Sequence, residues 1–145
     1  MSAPAGPPAV LHLHIDGASR GNPGEASFGV YVLPQDGRPP AELYGYLGRA
    51  TNNVAEYQPL IHALRYALKS GARRVCVFSD SQLVVRQVDG SYRVKHPDMR
   101  PLHSEAMALL ARFEEARVSH VPREQNRDAD RLANLALDEK ASKLE

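Results

Sequence analysis

Residues 11–24, LHLHIDGASRGNPG, constrain this chain more than any other stretch. Leu11, Leu13 and Ile15 alternate with His12, His14 and Asp16, the period of two that sends successive side chains to opposite faces of a strand. A first strand is expected over residues 10–16, ending on Asp16. Gly17, Gly21, Asn22, Pro23 and Gly24 then supply the residues of a turn. Residues 26–33 and 41–47 read as two more strands, separated by the breaker-rich segment 34–40. Strands linked this closely pair as an antiparallel meander. His12 and His14 form an H-x-H pair, but no third histidine or cysteine lies nearby in sequence, and the polar face of a strand explains both.

The pattern then changes period. Asn53, three residues before Glu56, is expected to cap a helix while Glu56 reaches back to it. Tyr57, Leu60, Ile61, Leu64 and Leu68 follow helical spacing, and Gly71 sits where a helix of about five turns should stop. Pro59 falls opposite that apolar stripe on a helical wheel, so a kink toward solvent is expected near the helix start. Residues 73–79, RRVCVFS, read as a buried strand ending at Asp80. A short helix runs to about Val88, and residues 90–101 form a loop carrying Tyr92, Arg93, Lys95, His96 and Arg100. Leu102, Ala106, Leu109, Leu110 and Phe113 mark another helix, residues 117–121 a fifth strand, 122–125 a loop, and 126–140 a last helix. Strands four and five arrive through helical crossovers and should run parallel to strand one or to each other, giving an α/β chain with a mixed sheet. If strand four lies beside strand one, Asp16 and Asp80 become neighbours.

A length of 145 residues, 43% of them hydrophobic, suits one domain with a core and leaves no room for two. We expect a domain over 10–140, a frayed Pro/Gly-rich segment over 1–9 and a tail over 141–145. The formal charge of +1 gives no overall attraction to a polyanion, so nucleic-acid binding has to come from a local patch. Cys76 is the sole cysteine and lies in an apolar run, consistent with a reducing compartment and a buried small hydrophobe. Neither a signal-peptide pattern nor a membrane-length apolar window occurs, so a cytoplasmic protein is expected, a monomer with no membrane association and no obligatory protein partner.

Two carboxylates at adjacent strand ends repel, and each stays protonated unless a cation neutralises the pair. Magnesium prefers oxygen ligands and keeps several waters, so a few Asp and Glu with no His or Cys are the ligands it selects. Glu56, one turn into the first helix, and Asp130, near the start of the last, can be swung onto the same edge of the sheet. Two metals about 3.5 to 4 Å apart could then activate water and stabilise the leaving oxygen of a phosphodiester. A purely structural reading stays open for each acid singly, since acids in a first helical turn complement the macrodipole and strand-end aspartates make turns.

Taken together, Ile15-Asp16-Gly17 with Gly21-Asn22-Pro23-Gly24, Thr51-Asn52-Asn53 with Glu56, Ser79-Asp80-Ser81, and Asn126 with Ala129-Asp130 and Leu132-Ala133 resemble ribonuclease H of type 1. The motifs occur in that family's order over about residues 10–138. The resemblance implies a ribonuclease H-like fold, a five-stranded mixed sheet ordered 3-2-1-4-5 with helices on both sides. It implies Mg2+-dependent hydrolysis of the RNA strand of an RNA/DNA hybrid, two ions per site with Mn2+ as a substitute, leaving 5′-phosphate and 3′-hydroxyl ends. Asp16, Glu56, Asp80 and Asp130 match the metal-binding acids, with Asp16 and Asp80 as central ligands. Asn22, Asn52, Asn53 and Gln82 match minor-groove contacts, where amides that both donate and accept suit 2′-hydroxyls and base edges. Thr51 matches a contact to a DNA-strand phosphate, to which Arg20 could add.

The chain departs from the family pattern in two places. Many members carry a histidine in the loop before the last helix, with a role in proton transfer or product release. Here that loop is Pro122-Arg123-Glu124-Gln125, and Arg123 or Glu124 stands in its place, with Asn126 following. His120 is expected to lie within the fifth strand, packed or facing solvent. The long basic protrusion of some members is also missing, leaving Tyr92, Arg93, Lys95 and Arg100 as a reduced phosphate-contacting patch or a solvated loop. Salt-sensitive binding is the expectation. The alternatives to a hybrid-specific endonuclease are a same-fold nuclease of broader duplex specificity and a catalytically silent nucleic-acid-binding module.

Overall fold

The computed structural model describes residues 6–145, so the first five residues of the expected frayed segment lie outside the described residues. Along the chain come β1 (Val10–Gly21), β2 (Gly24–Pro34), β3 (Ala41–Ala50), α1 (Asn52–Lys69), β4 (Arg74–Ser79), α2 (Gln82–Val88), α3 (Arg100–Leu110), β5 (Glu115–His120) and α4 (Arg127–Glu139). One mixed sheet holds all five strands in the order β3-β2-β1-β4-β5. β1, β2 and β3 pair antiparallel, β4 runs parallel to β1, and β5 runs parallel to β4. This is the α/β architecture and strand order that the sequence resemblance implies. No helix among the described residues is long and apolar enough to cross a membrane.

Leu11, Leu13 and Ile15 of β1 join Phe28, Val30 and Val32 of β2 in the core, with Leu60, Ile61 and Leu64 of α1 packed on the same face. The opposite face carries Ser27 and Gly29, which meet α4. The Ser27 hydroxyl donates to the Ala133 carbonyl, and a Cβ built on Gly29 would lie 2.3 Å from the Ala129 carbonyl oxygen. Glycine at 29 is therefore what lets α4 lie flat on β2. Away from α4, His14 stacks on Phe78 at 4.9 Å and His12 sits 5.2 Å from the same ring, an aromatic surface rather than a metal pair. Cys76, expected to be buried, is only half-buried on that surface.

The first strand does not end at Asp16. Gly17, Ala18, Ser19 and Arg20 stay in register with Phe28, Ser27, Ala26 and Glu25, and the turn shrinks to Asn22-Pro23 between Gly21 and Gly24. Pairing to β2 overrides the turn propensity of the glycines, because each extra ladder residue satisfies backbone groups that a loop would leave to solvent. β4, by contrast, stops at Ser79, opposite Ile15. Past that point β1 runs on without its parallel neighbour, and a gap opens beside Asp16.

Pro59 also falls elsewhere than the helical wheel suggests. It is buried, on the side of α1 that packs against the sheet. Proline has no N–H to bond the carbonyl four residues back, which is that of Ala55. A Cβ on Gly17 would lie 2.2 Å from that carbonyl oxygen, so β1 and α1 touch backbone to backbone at this point. Gly17 serves close approach rather than a turn. The approach carries Glu56, the next residue of α1, to the gap beside Asp16.

Smaller boundary differences have local causes. Thr51, not Asn53, caps α1, its hydroxyl oxygen accepting from the Val54 N–H at 3.3 Å. α3 begins at Arg100, earlier than expected, with Pro101 in its first turn where a missing N–H costs nothing. Phe113 follows that helix rather than belonging to it. β5 starts at Glu115, two residues early, and residues Arg123–Gln125 form a 3-10 turn instead of an open loop.

Candidate active site

Carboxylate oxygens of Asp16, Glu56 and Asp80 all lie within 4.8 Å of one another. Each arrives from a different element. Asp16 hangs from β1 where β4 has just ended, Asp80 is the first residue after β4, and Glu56 enters from α1 across the Gly17 contact. Asp130, in the first turn of α4, completes the wall from the opposite side of the sheet. It lines the same open cavity of about 620 Å3, with Ser81, His120, Arg123 and Asn134. The sheet gap is what lets acids from helices on opposite faces meet.

The electrostatics are those of an uncompensated acidic cluster. Burial, then the charges of Asp80 and Glu56, hold the Asp16 carboxyl well above the usual carboxylate range, with Asp130 adding to the effect. Burial and Asp80 push Glu56 up to about 7, partly offset by hydrogen bonds from the Ser81 hydroxyl and the Gly17 N–H. The Gly17 N–H also lies 3.0 Å from Asp16 Oδ1. Among the described residues the one cation near the cluster is Arg123, whose guanidinium is 3.9 Å from Asp130 and largely exposed. Four acids facing one cavity with so little positive charge fit a divalent cation held by oxygen ligands, and the donor set suits magnesium or manganese.

The residues expected to meet a nucleic acid divide into groups. Asn22 and Asn52 come together at the hairpin tip, where Asn22 Oδ1 accepts from the Asn52 N–H at 3.2 Å. Thr51 adjoins them, with its hydroxyl oxygen occupied as the helix cap, and Asn53 is half-buried beside it. Gln82 is exposed at the start of α2. Arg20 is drawn away into an ion pair with Asp138 of α4. Lys95 is exposed on the loop after α2, outside the acidic cavity.

The auxiliary positions are redistributed. Arg123 lines the cavity, whereas Glu124 is exposed and does not. Asn126 is fully buried and contributes no group to the cavity; its Nδ2 donates to the Ile15 carbonyl at 2.7 Å and pins the start of α4 beside Asp16. Sequence reading placed His120 away from the chemistry, yet it lines the cavity. The signal lay in strand register: β5 runs parallel to β4 with His120 opposite Ser79, so the last residue of β5 stands next to the strand end that carries Asp80. Asn134 was also missed. It sits one helical turn after Asp130, and its side-chain amide donates to the Asp130 carbonyl at 2.9 Å.

Comparison with known proteins agrees with this geometry. A family model described as Reverse transcriptase-like matches residues 14–136. A bifunctional protein of Mycobacterium tuberculosis is 48% identical over 127 residues, covering 87% of this chain and 35% of its own length. The chain thus spans about a third of the length of that relative. The N-terminal RNase H domain of the same mycobacterial protein, solved as a fusion, superposes with a TM-score of 0.86 at 46% identity, covering 90% of this chain and 95% of that one. RNase H1 from the archaeon Halobacterium salinarum superposes equally well, with a TM-score of 0.86 at 45% identity over 90% of this chain and 98% of its own. LC11-RNase H1, solved in complex with an RNA/DNA hybrid, gives a TM-score of 0.83 at 37% identity, again covering 90% of this chain and 98% of its own. With its fold, its acidic cluster and these relatives in agreement, the chain belongs to the reverse transcriptase-like family and, within it, to the ribonuclease H type 1 group.

Proposed function

We propose that this protein is an endonuclease that hydrolyses the RNA strand of RNA/DNA hybrids with divalent metal, leaving 5′-phosphate and 3′-hydroxyl ends. The observation that carries the reading is the meeting of Asp16, Glu56 and Asp80 within 4.8 Å at the base of an open cavity. The hybrid bound to LC11-RNase H1 supports the choice of substrate. Asp16 and Asp80 are the central ligands, with Glu56 and Asp130 on either side. Held between these carboxylates, Mg2+ or Mn2+ supplies an activated water and charge neutralisation at the leaving oxygen.

The chain's own residues do the rest. Asn22 and Asn52, braced against each other, present amides to the minor groove, and Gln82 extends that contact. The exposed face of Arg123 attracts phosphate charge but cannot act as a base. His120 is the group lining the cavity that can both give and take a proton, and it takes the auxiliary role that Arg123 or Glu124 would otherwise hold. The protein acts as a monomer.

Labelled RNA/DNA, RNA/RNA and DNA/DNA duplexes incubated with the protein and Mg2+ test the reading directly. Preferential cutting of the hybrid, lost in Asp16→Asn and Asp80→Asn while hybrid binding persists, is the expected result. An intact hybrid in both Mg2+ and Mn2+ overturns the nuclease reading, and equal rates on all three duplexes overturn the hybrid specificity.

A further inference from the structure

One buried polar side chain takes no part in the acidic cavity. Gln87, on the last turn of α2, is 5% exposed, and its amide reaches two separate parts of the chain. Its Oε1 accepts from the Tyr57 hydroxyl, and its Nε2 donates to the Arg93 carbonyl at 3.2 Å. A carbonyl only accepts, so Arg93 fixes which way the amide points, and Tyr57 must be the donor on the other side. Burial pushes the Tyr57 phenol up to about 12, which keeps it in the donating form. The backbone carbonyl of Gln87 faces His103 Nε2 of α3 at 3.1 Å. Tyr57 itself adjoins Glu56 on α1.

The loop held in this way carries Arg93 and Lys95, both exposed, and among the described residues neither makes an ion pair. Neighbouring cations behave otherwise: Arg86 pairs with Asp89 and Arg65 with Glu105. The Val94 carbonyl accepts from Arg100 Nε at 3.4 Å, and the Tyr92 N–H donates to the Arg86 carbonyl at 3.0 Å. Backbone groups at 92, 93 and 94 are therefore all fixed, while the two side chains between and after them project without partners.

We infer that Gln87 is a positioning residue that ties the Arg93–Lys95 cations to helix α1, so that the loop meets the phosphate backbone of a bound duplex in register with the acidic cavity. The inference rests on the nuclease reading above and adds a part of the binding surface. A freely moving loop would have to lose its conformational entropy on binding, and a loop already fixed by a buried amide has lost it in folding.

Cleavage kinetics on an RNA/DNA hybrid with Mg2+, over about 50 to 200 mM salt, test this for wild type, Gln87→Met, the Arg93→Ala/Lys95→Ala pair, and all three changes together. Gln87→Met keeps the volume and removes both side-chain hydrogen bonds. Expected is a rise in KM of about threefold to tenfold with kcat within about twofold, and a salt slope shallower by about 1 for each phosphate that the loop no longer neutralises. In the Arg93→Ala/Lys95→Ala background, Gln87→Met should raise KM no further, because its effect runs through those two cations. If Gln87→Met melts below the assay temperature, Tyr57→Phe, which removes a single oxygen, is read in its place with the same expectations. A fall in kcat at unchanged KM, an undiminished effect in the doubly substituted background, or a double alanine variant with wild-type KM and salt slope overturns the inference while leaving the nuclease reading standing. A wild type that does not cut the hybrid overturns both.

Discussion

Replacing Glu56 by glutamine removes one charge from the acidic cluster while keeping the side chain's shape and its acceptor for the Ser81 hydroxyl and the Gly17 N–H. In the metal-free protein that carboxyl is raised from 4.5 to about 7, chiefly by burial and then by Asp80. A raised folded pKa means that the native state holds the proton more tightly than the unfolded chain. Its contribution to stability is thus complete below about pH 4.5 and is lost as pH climbs through about 7. A displacement of this size corresponds to about 3 kcal/mol, and partial exposure of the side chain reduces it to about 2 kcal/mol. Glutamine never ionises and escapes the loss. Glu56→Gln should therefore raise the melting temperature in EDTA at pH 8 by about 4 to 8 °C, and leave it unchanged near pH 4.5. The same variant should gain much less than wild type from added Mg2+ and should cleave hybrid poorly. Thermal unfolding from pH 4.5 to 8.5, with EDTA and with Mg2+, measures all of this. A variant that melts lower than wild type at pH 8 in EDTA, or an effect independent of pH, refutes the reasoning.

Three further outcomes follow from the packing and the cavity. Gly29→Ala would place a Cβ 2.3 Å from the Ala129 carbonyl oxygen and force α4 off the sheet; thermal denaturation should show a loss of about 1 to 3 kcal/mol, and hybrid cleavage should fall because Asp130 moves with the helix. Asn126→Ala removes the 2.7 Å bond to the Ile15 carbonyl, which should cost about 1 to 3 kcal/mol in a denaturant titration and weaken Mg2+ binding measured by calorimetry. His120→Phe keeps a ring against the cavity but abolishes proton transfer; kcat should fall by about tenfold to a hundredfold with KM little changed, and an unchanged kcat excludes His120 from the chemistry.

Sequence by itself determined the sheet's strands, their approximate limits and the mixed topology, because periods of two and of 3.6 report directly on which side chains must be buried. Its motifs also named the acids, of which Asp16, Glu56 and Asp80 now stand together. What it could not decide depends on distance between elements far apart in the chain. The glycine at 17 looks like a turn residue until α1 is seen lying against it, and Pro59 looks like a defect until its buried side is known. Asn126 carries the composition of a polar site residue but is consumed by a backbone carbonyl 111 positions away. His120 looks remote until β5 is set in register with β4. Propensity and spacing act over a few residues, whereas the cavity exists only because β4 stops at Ser79 while β1 continues to Gly21, and that mismatch in length is settled by the packing of the whole sheet.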